Sequence, residues 1–295
     1  MGRGVSYLAD DIILGYSFVM SRFNQEESLL RGERQDQYME KVRALGEYLS
    51  KTAEALRSEE VPVDDSLRVD MDAFDKHYDP TYVARDKVIV EDYLQKFHPG
   101  LSEQERNLRE LQSDGAQIEM LKSAILHKKL KERFIVCRTS RYDDIKNGVD
   151  NIVLDRQTGK PVCALDDVGD ISGSPLEMKK QAVLKKNFTA GKEGAVLRYG
   201  MSLNGPKVLL GECRRIPTFY LALPREAIRR GIDQFSPDDN LGSNEEKLCD
   251  YFLATLAQQT RGLQINPAFD SAPEEFRQVT LNFDRTIKEF INKRG

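Results

Sequence analysis

The chain has 295 residues, 40% of them hydrophobic and 31% charged, enough for one large globular domain or for a core domain with a helical extension. No apolar run approaches the roughly 20 residues needed to span a bilayer, and Met1-Gly2-Arg3-Gly4 followed by Asp10-Asp11 does not read as a secretory signal, so no membrane partner is expected and the expected location is the cytoplasm. A formal net charge of −4 argues against a protein that coats nucleic acid over its whole surface.

Residues 5–58 are helical in pattern. Tyr7, Leu8, Ile12, Leu14 and Phe18 lead one segment, and Tyr38, Val42, Leu45, Leu49 and Leu56 recur at helical spacing in the next. Glu59 to Ser66 breaks this pattern, and an acid-rich connector follows, with a short helix near Lys87 to Phe97. Ser102, with Glu105 three residues on, signals a helix start. That helix runs through Leu108, Leu111, Ile118, Leu121 and Ile125, with an interruption near Gly115.

Phe134 to Cys137 reads as a strand. The next 28 residues, Asp143 to Asp170, contain seven aspartates. Within them Asn147-Gly148 marks a turn, Val149 to Leu154 an apolar run, Gln157 to Pro161 a break, and Val162 to Leu165 a second run, the pattern of a β-hairpin. Ser174-Pro175 opens a helix reaching Asn187. Three further strand-like runs follow, Ala195 to Leu203, Lys207 to Cys213 and Thr218 to Leu223, the first two joined through Asn204-Gly205-Pro206. Arg225 to Phe235, Asn244 to Leu263 and Pro273 to Asn292 are helical, with Leu248, Phe252, Leu256 and Leu263 as an apolar stripe. The expected fold is α/β (α+β), with a mixed central sheet of about six strands in an αβββα-type core. Its expected divisions are a helical N-terminal region and connector over 1–100, the core over 101–224, and C-terminal helices over 225–295.

The hairpin brings acids together. In an antiparallel pair the residue entering the first strand lies near the residue leaving the second, so Asp150 approaches Asp166 and Asp167. Carboxylates that close repel unless a divalent cation, a proton or a basic group offsets them, and a hard oxygen-only set favours Mg²⁺, Mn²⁺ or Ca²⁺. Strand alternation lets only one of the paired aspartates face such a site. Asp143, Asp144 or Glu119 could complete the set. Capping or turn chemistry is the competing role for Asp143 and Asp144, and for Asp150 and Asp166 it is a salt bridge to a buried arginine such as Arg198 or Arg214.

This arrangement resembles the core of the PD-(D/E)XK, or restriction-endonuclease-like, nuclease superfamily. Gly148-Val149-Asp150 would supply the first acid and Asp166-Asp167-Val168 the second element, over residues 103–224. Val168 stands where the family carries Lys. The resemblance implies an αβββα core, Mg²⁺ or Mn²⁺ held by Asp150 and Asp166, hydrolysis of nucleic-acid phosphodiesters, and Lys179 or Lys180 as replacement for the absent lysine; it favours Asp166 over Asp167. Local basic clusters at His127 to Lys131, Lys179-Lys180, Lys185-Lys186, Arg214-Arg215 and Arg229-Arg230 would meet phosphates. The alternative is a catalytically inactive nuclease-like fold serving as a binding or scaffold protein, with its helical extensions available for self-association.

Other chemistries lack their signatures. Cys137, Cys163, Cys213 and Cys249 have no CxxC spacing and read as reduced thiols, and with His77, His98 and His127 dispersed no zinc set forms. No Ser or Cys sits in a G-x-S-x-G setting, and neither glycine-rich stretch, Thr189 to Gly194 or Gly169 to Gly173, has Walker or dinucleotide spacing.

Overall fold

A computed structural model of the chain describes residues 33–169 and 173–292. Residues Lys41–Gly295 form one compact unit; a second, Met1–Glu40, falls almost wholly outside the described residues, as does the helix expected at Tyr7 to Phe18. Helix α1 (Glu33–Ser58) buries Val42, Leu45, Leu49 and Leu56, the positions its spacing singles out. An extended connector follows, in which Val63 bridges to Val69 and Arg68 lies parallel to Arg138. Helix α2 (Pro80–Phe97) starts seven residues before the expected Lys87, because Asp79 caps it through the Thr81 N–H and Pro80 supplies a preset first turn. The expected Ser102 capping box is complete and opens α3 (Glu103–Leu111). Ser113 then restarts the chain as α4 (Asp114–Leu130), which is buried almost all round.

Among the described residues six strands form, but not in one sheet. Strands β1 (Phe134–Arg138), β2 (Asn151–Asp155) and β3 (Pro161–Val168) make consecutive antiparallel pairs. Helix α5 (Gly173–Phe188), then β4 (Ala195–Asn204) and β5 (Lys207–Ile216), lead to β6 (Thr218–Ala222), which pairs in parallel with β3. The sheet order is β1-β2-β3-β6, and β4 and β5 form a separate two-stranded sheet, which corrects the expected six-strand central sheet. The reason lies at the edges. β1 is covered by the connector, whose Val69 N–H donates to Arg138 O while Arg138 N–H donates to Leu67 O. Gln259 closes the β6 edge by accepting the Tyr220 N–H at 3.1 Å and donating to the Tyr220 carbonyl at 2.7 Å. With β3 flanked on both sides, no edge remains for the β4–β5 hairpin, which pairs with itself.

The C-terminal helices α6 (Arg225–Asp233), α7 (Ser243–Gln264) and α8 (Glu274–Asn292) complete the fold. Leu248, Phe252, Leu256 and Leu263 of α7 are buried, and Phe283 of α8 stands 6.1 Å from Phe134 and 5.8 Å from Phe219, ring centre to ring centre. No helix among the described residues is long and apolar enough to cross a membrane.

Candidate functional site

Helix α4 and the sheet face it covers build an acidic centre. Glu119, Lys122 and Ser123 are spaced i, i+3 and i+4, which puts them on one side of the helix. Across from them, Arg138 is paired with Asn151, and Asp167 follows two residues after Asn151's other partner, Leu165; the pleat therefore turns Arg138, Asn151 and Asp167 to one face. Contacts join the two layers: Asn151 Nδ2 donates to Ser123 Oγ at 2.6 Å, Arg138 Nε donates to Glu119 Oε2 at 2.8 Å, and the Lys122 ammonium closes on Asp167.

Asp144 and Asp150 enter from the segment between β1 and β2. Asp144 belongs to a single π-helical turn, Asp143–Asn147, closed by Gly148 in the left-handed conformation. Asp150 immediately precedes β2, and its Oδ2 accepts the Asp167 N–H at 2.5 Å. Glu119, Asp144 and Asp150 each place one carboxylate oxygen within 4.8 Å of the others. Arg68, from the connector, bridges two of them: Nη2 donates to Glu119 Oε2 at 3.0 Å and Nη1 to Asp144 Oδ2 at 3.1 Å.

The charges do not balance residue by residue. Glu119 meets Arg68 and Arg138, Asp144 meets Arg68, Asp166 meets Lys179 and Asp167 meets Lys122. Asp150 has no such ion pair among the described residues. Burial drives its carboxyl well above the ordinary range, and the neighbouring charges of Asp167, Glu119, Asp166 and Asp144 push it the same way. Burial also raises Asp167, to about 6, against the opposing pull of Lys122. Burial acts on Glu119 in the same sense, but Arg138 and Arg68 overcome it and hold that carboxyl below its usual range.

The residues singled out in the sequence part company here. Glu119, Asp144 and Asp150 converge. Asp143 does not join them: its buried carboxylate accepts the N–H groups of Arg198 and Tyr199 at 2.8 and 3.0 Å, the Ser140 hydroxyl at 2.8 Å and Asn147 Nδ2 at 2.6 Å. Asp166, expected opposite Asp150, lies by alternation on the other face of β3 and pairs with Lys179, while Asp167 takes the place beside Asp150. Lys180 pairs with Glu177 at 2.7 Å.

Lys122, Arg68 and Arg138 are cationic groups of the centre that sequence reasoning passed over. Lys122 lies in a helix that mixes polar and apolar residues in sequence and is buried almost all round in the fold, where its ammonium demands a partner; its side chain is 0% exposed. Arg68 carries no local signal, for it sits in an irregular connector 51 residues before Glu119.

The oxygens that Glu119, Asp144 and Asp150 bring together are of the kind a hard divalent cation takes, and beside them Asp167 Oδ2, on a side chain only 5% exposed, has no hydrogen-bond partner. A cavity of 210 Å³ is lined in part by Arg68 and Arg141, while a larger one of 660 Å³ lies against Glu59, Arg156 and Lys207 with none of the cluster residues among its described lining. No protein-family model, curated protein or solved structure matches this chain.

Proposed function

We propose that the chain is a divergent nuclease-like protein of the PD-(D/E)XK kind, in which Asp150, Glu119, Asp144 and Asp167 hold Mg²⁺ or Mn²⁺ for hydrolysis of nucleic-acid phosphodiesters. The observation that carries this reading is Asp150, a carboxylate among carboxylates with no ion-pair partner among the described residues. A bound cation would relieve that repulsion and supply Lewis-acid stabilisation of charge on a phosphate. The order α4, β1, β2, β3, α5 is that of the αβββα core the resemblance implies, and β6, which follows only after the separate β4–β5 hairpin, adds a fourth strand parallel to β3.

In this reading each side chain has a task. Asp150 and Asp167 stand at the adjoining ends of β2 and β3, and Glu119 and Asp144 bring oxygens from the helix and the π-helical turn. Lys122, in contact with Asp167, is the positive group nearest the role of the lysine replaced by Val168, and would orient an attacking water or offset developing charge. Lys179 remains a candidate for contact with substrate through the Asp166 side of β3.

A binding or scaffold role is the second reading, and one observation favours it. Glu119, Asp144, Asp166 and Asp167 already have cationic partners, so most of the cluster is neutralised by the protein itself. Calorimetric titration of wild type and Asp150→Asn with Mg²⁺ and Mn²⁺, then hydrolysis assays on single- and double-stranded DNA and RNA, separates the two. Metal binding lost in Asp150→Asn together with metal-dependent cleavage supports the nuclease; no metal binding by wild type sinks it in favour of the scaffold.

A further inference from the structure

Each of the four carboxylates in the centre has one oxygen engaged and the other without a hydrogen bond from a described residue. Glu119 Oε2 takes both guanidiniums, Arg138 Nε at 2.8 Å and Arg68 Nη2 at 3.0 Å. Asp144 Oδ2 takes Arg68 Nη1 at 3.1 Å, Asp150 Oδ2 takes the Asp167 N–H at 2.5 Å, and Asp167 Oδ1 takes the Lys122 ammonium. The remaining oxygens are Glu119 Oε1, Asp144 Oδ1, Asp150 Oδ1 and Asp167 Oδ2, the last buried and wholly unpartnered. Arg68 is itself held still, because Nη1 also donates to the Thr139 carbonyl at 2.9 Å and its backbone runs alongside β1.

We infer that Arg68 and Arg138 are positioning residues that restrict Glu119 and Asp144 to one ligand oxygen each, and so set the centre's preference for Mg²⁺ or Mn²⁺ over Ca²⁺. Ca²⁺ takes six to eight oxygens and favours carboxylates that bind through both, whereas Mg²⁺ wants about six in near-octahedral array and accepts single carboxylate oxygens beside water. A guanidinium is suited to the restriction: its planar fork reaches two carboxylates at fixed geometry, which the point charge of a lysine does not. The inference rests on the metal-binding reading given above.

The test measures affinities for Mn²⁺, Mg²⁺ and Ca²⁺, each alone, on the full chain by calorimetry, with the metal-free melting temperature as a check on folding. Wild type is expected to bind Mn²⁺ and Mg²⁺ more tightly than Ca²⁺. Arg68→Lys keeps the charge but releases one oxygen, so the Mn²⁺ to Ca²⁺ affinity ratio should fall by about tenfold or more, the usual effect of an outer-shell change. A folded Arg68→Lys with an unchanged ratio, or wild type with Ca²⁺ bound as tightly as Mn²⁺, overturns the inference while leaving a metal site in place. Wild type that binds none of the three ions removes the metal reading itself. Should Arg68→Lys fail to fold, Arg138→Lys and the wild-type ratio decide the matter by the same criteria.

Discussion

Lys122 stands one helical turn after Glu119 and reaches across to Asp167 at the end of β3, so that this ion pair, beside that of Glu119 with Arg138, pins the buried helix α4 to the sheet. Both side chains are secluded, at 0% and 5% exposure, and breaking a pair of this kind leaves an uncompensated buried charge. Lys122→Met should lower stability by about 3–5 kcal/mol. Lys122→Met combined with Asp167→Asn should recover part of that loss, since no lone ion is then buried. Urea denaturation of wild type, Lys122→Met, Asp167→Asn and the double variant reads the coupling directly.

Asp150→Asn should behave in the opposite way. The folded carboxyl is raised above its ordinary value of 3.8, so its contribution to stability is present below that value and is lost as pH rises through the folded pKa. Removing the charge should therefore leave the metal-free protein equal to wild type near pH 3.8 and more stable, by roughly 1 kcal/mol or more, at neutral pH. Parallel melting curves across pH check this, and a collapse of the variant at neutral pH would assign Asp150 a structural ion-pair role.

Metal affinity should depend on pH through Asp167. Its carboxyl, raised to about 6, must lose a proton before it can bind a cation. Mn²⁺ affinity should rise as pH passes through about 6, by up to tenfold per unit for each proton released. The metal-free protein loses this group's contribution to stability over the same interval, so added Mn²⁺ should raise the melting temperature more at pH 7 than at pH 5. A Mn²⁺-induced shift of equal size at both values would remove Asp167 from the ligand set.

The Lys128–Glu245 pair provides a remote control. Both side chains are 0% exposed, the ammonium also donates to the Ser236 carbonyl at 2.6 Å, and it sits 4.2 Å from the Phe235 ring centre. Glu245→Gln should weaken the fold by about 2–4 kcal/mol yet leave the relative affinities for Mn²⁺ and Ca²⁺ unchanged. Calorimetry beside urea denaturation distinguishes that result from a general loss of metal binding through unfolding.

Local chemistry was the part of the fold that could be read in advance. The Ser102–Glu105 capping box, the β1-β2-β3 run and the α7 stripe all depend on residues close together in the chain and all form, although β2 begins at Asn151, two residues after the expected Val149. The assignment of β4 and β5 to the central sheet failed for a non-local reason: Leu67, Val69 and Gln259 occupy the edges, and nothing near residues 195–216 reveals that. The placement of Asp166 and Asp167 likewise depends on a distant contact. Alternation says that one of them faces α4, but the family pattern pointed to Asp166, and only the packing of Lys122 shows which face that helix covers.

The π-helical turn has a mechanical consequence. Asp143 grips the backbone of Arg198 and Tyr199 in β4, and the next residue, Asp144, extends its carboxylate toward Glu119 and Asp150. Adjacent side chains of one rigid turn thus serve as the two arms of a lever whose fulcrum is a single peptide unit. Displacement of β4 would therefore be felt at the oxygen that Asp144 offers, because the two carboxylates belong to neighbouring residues.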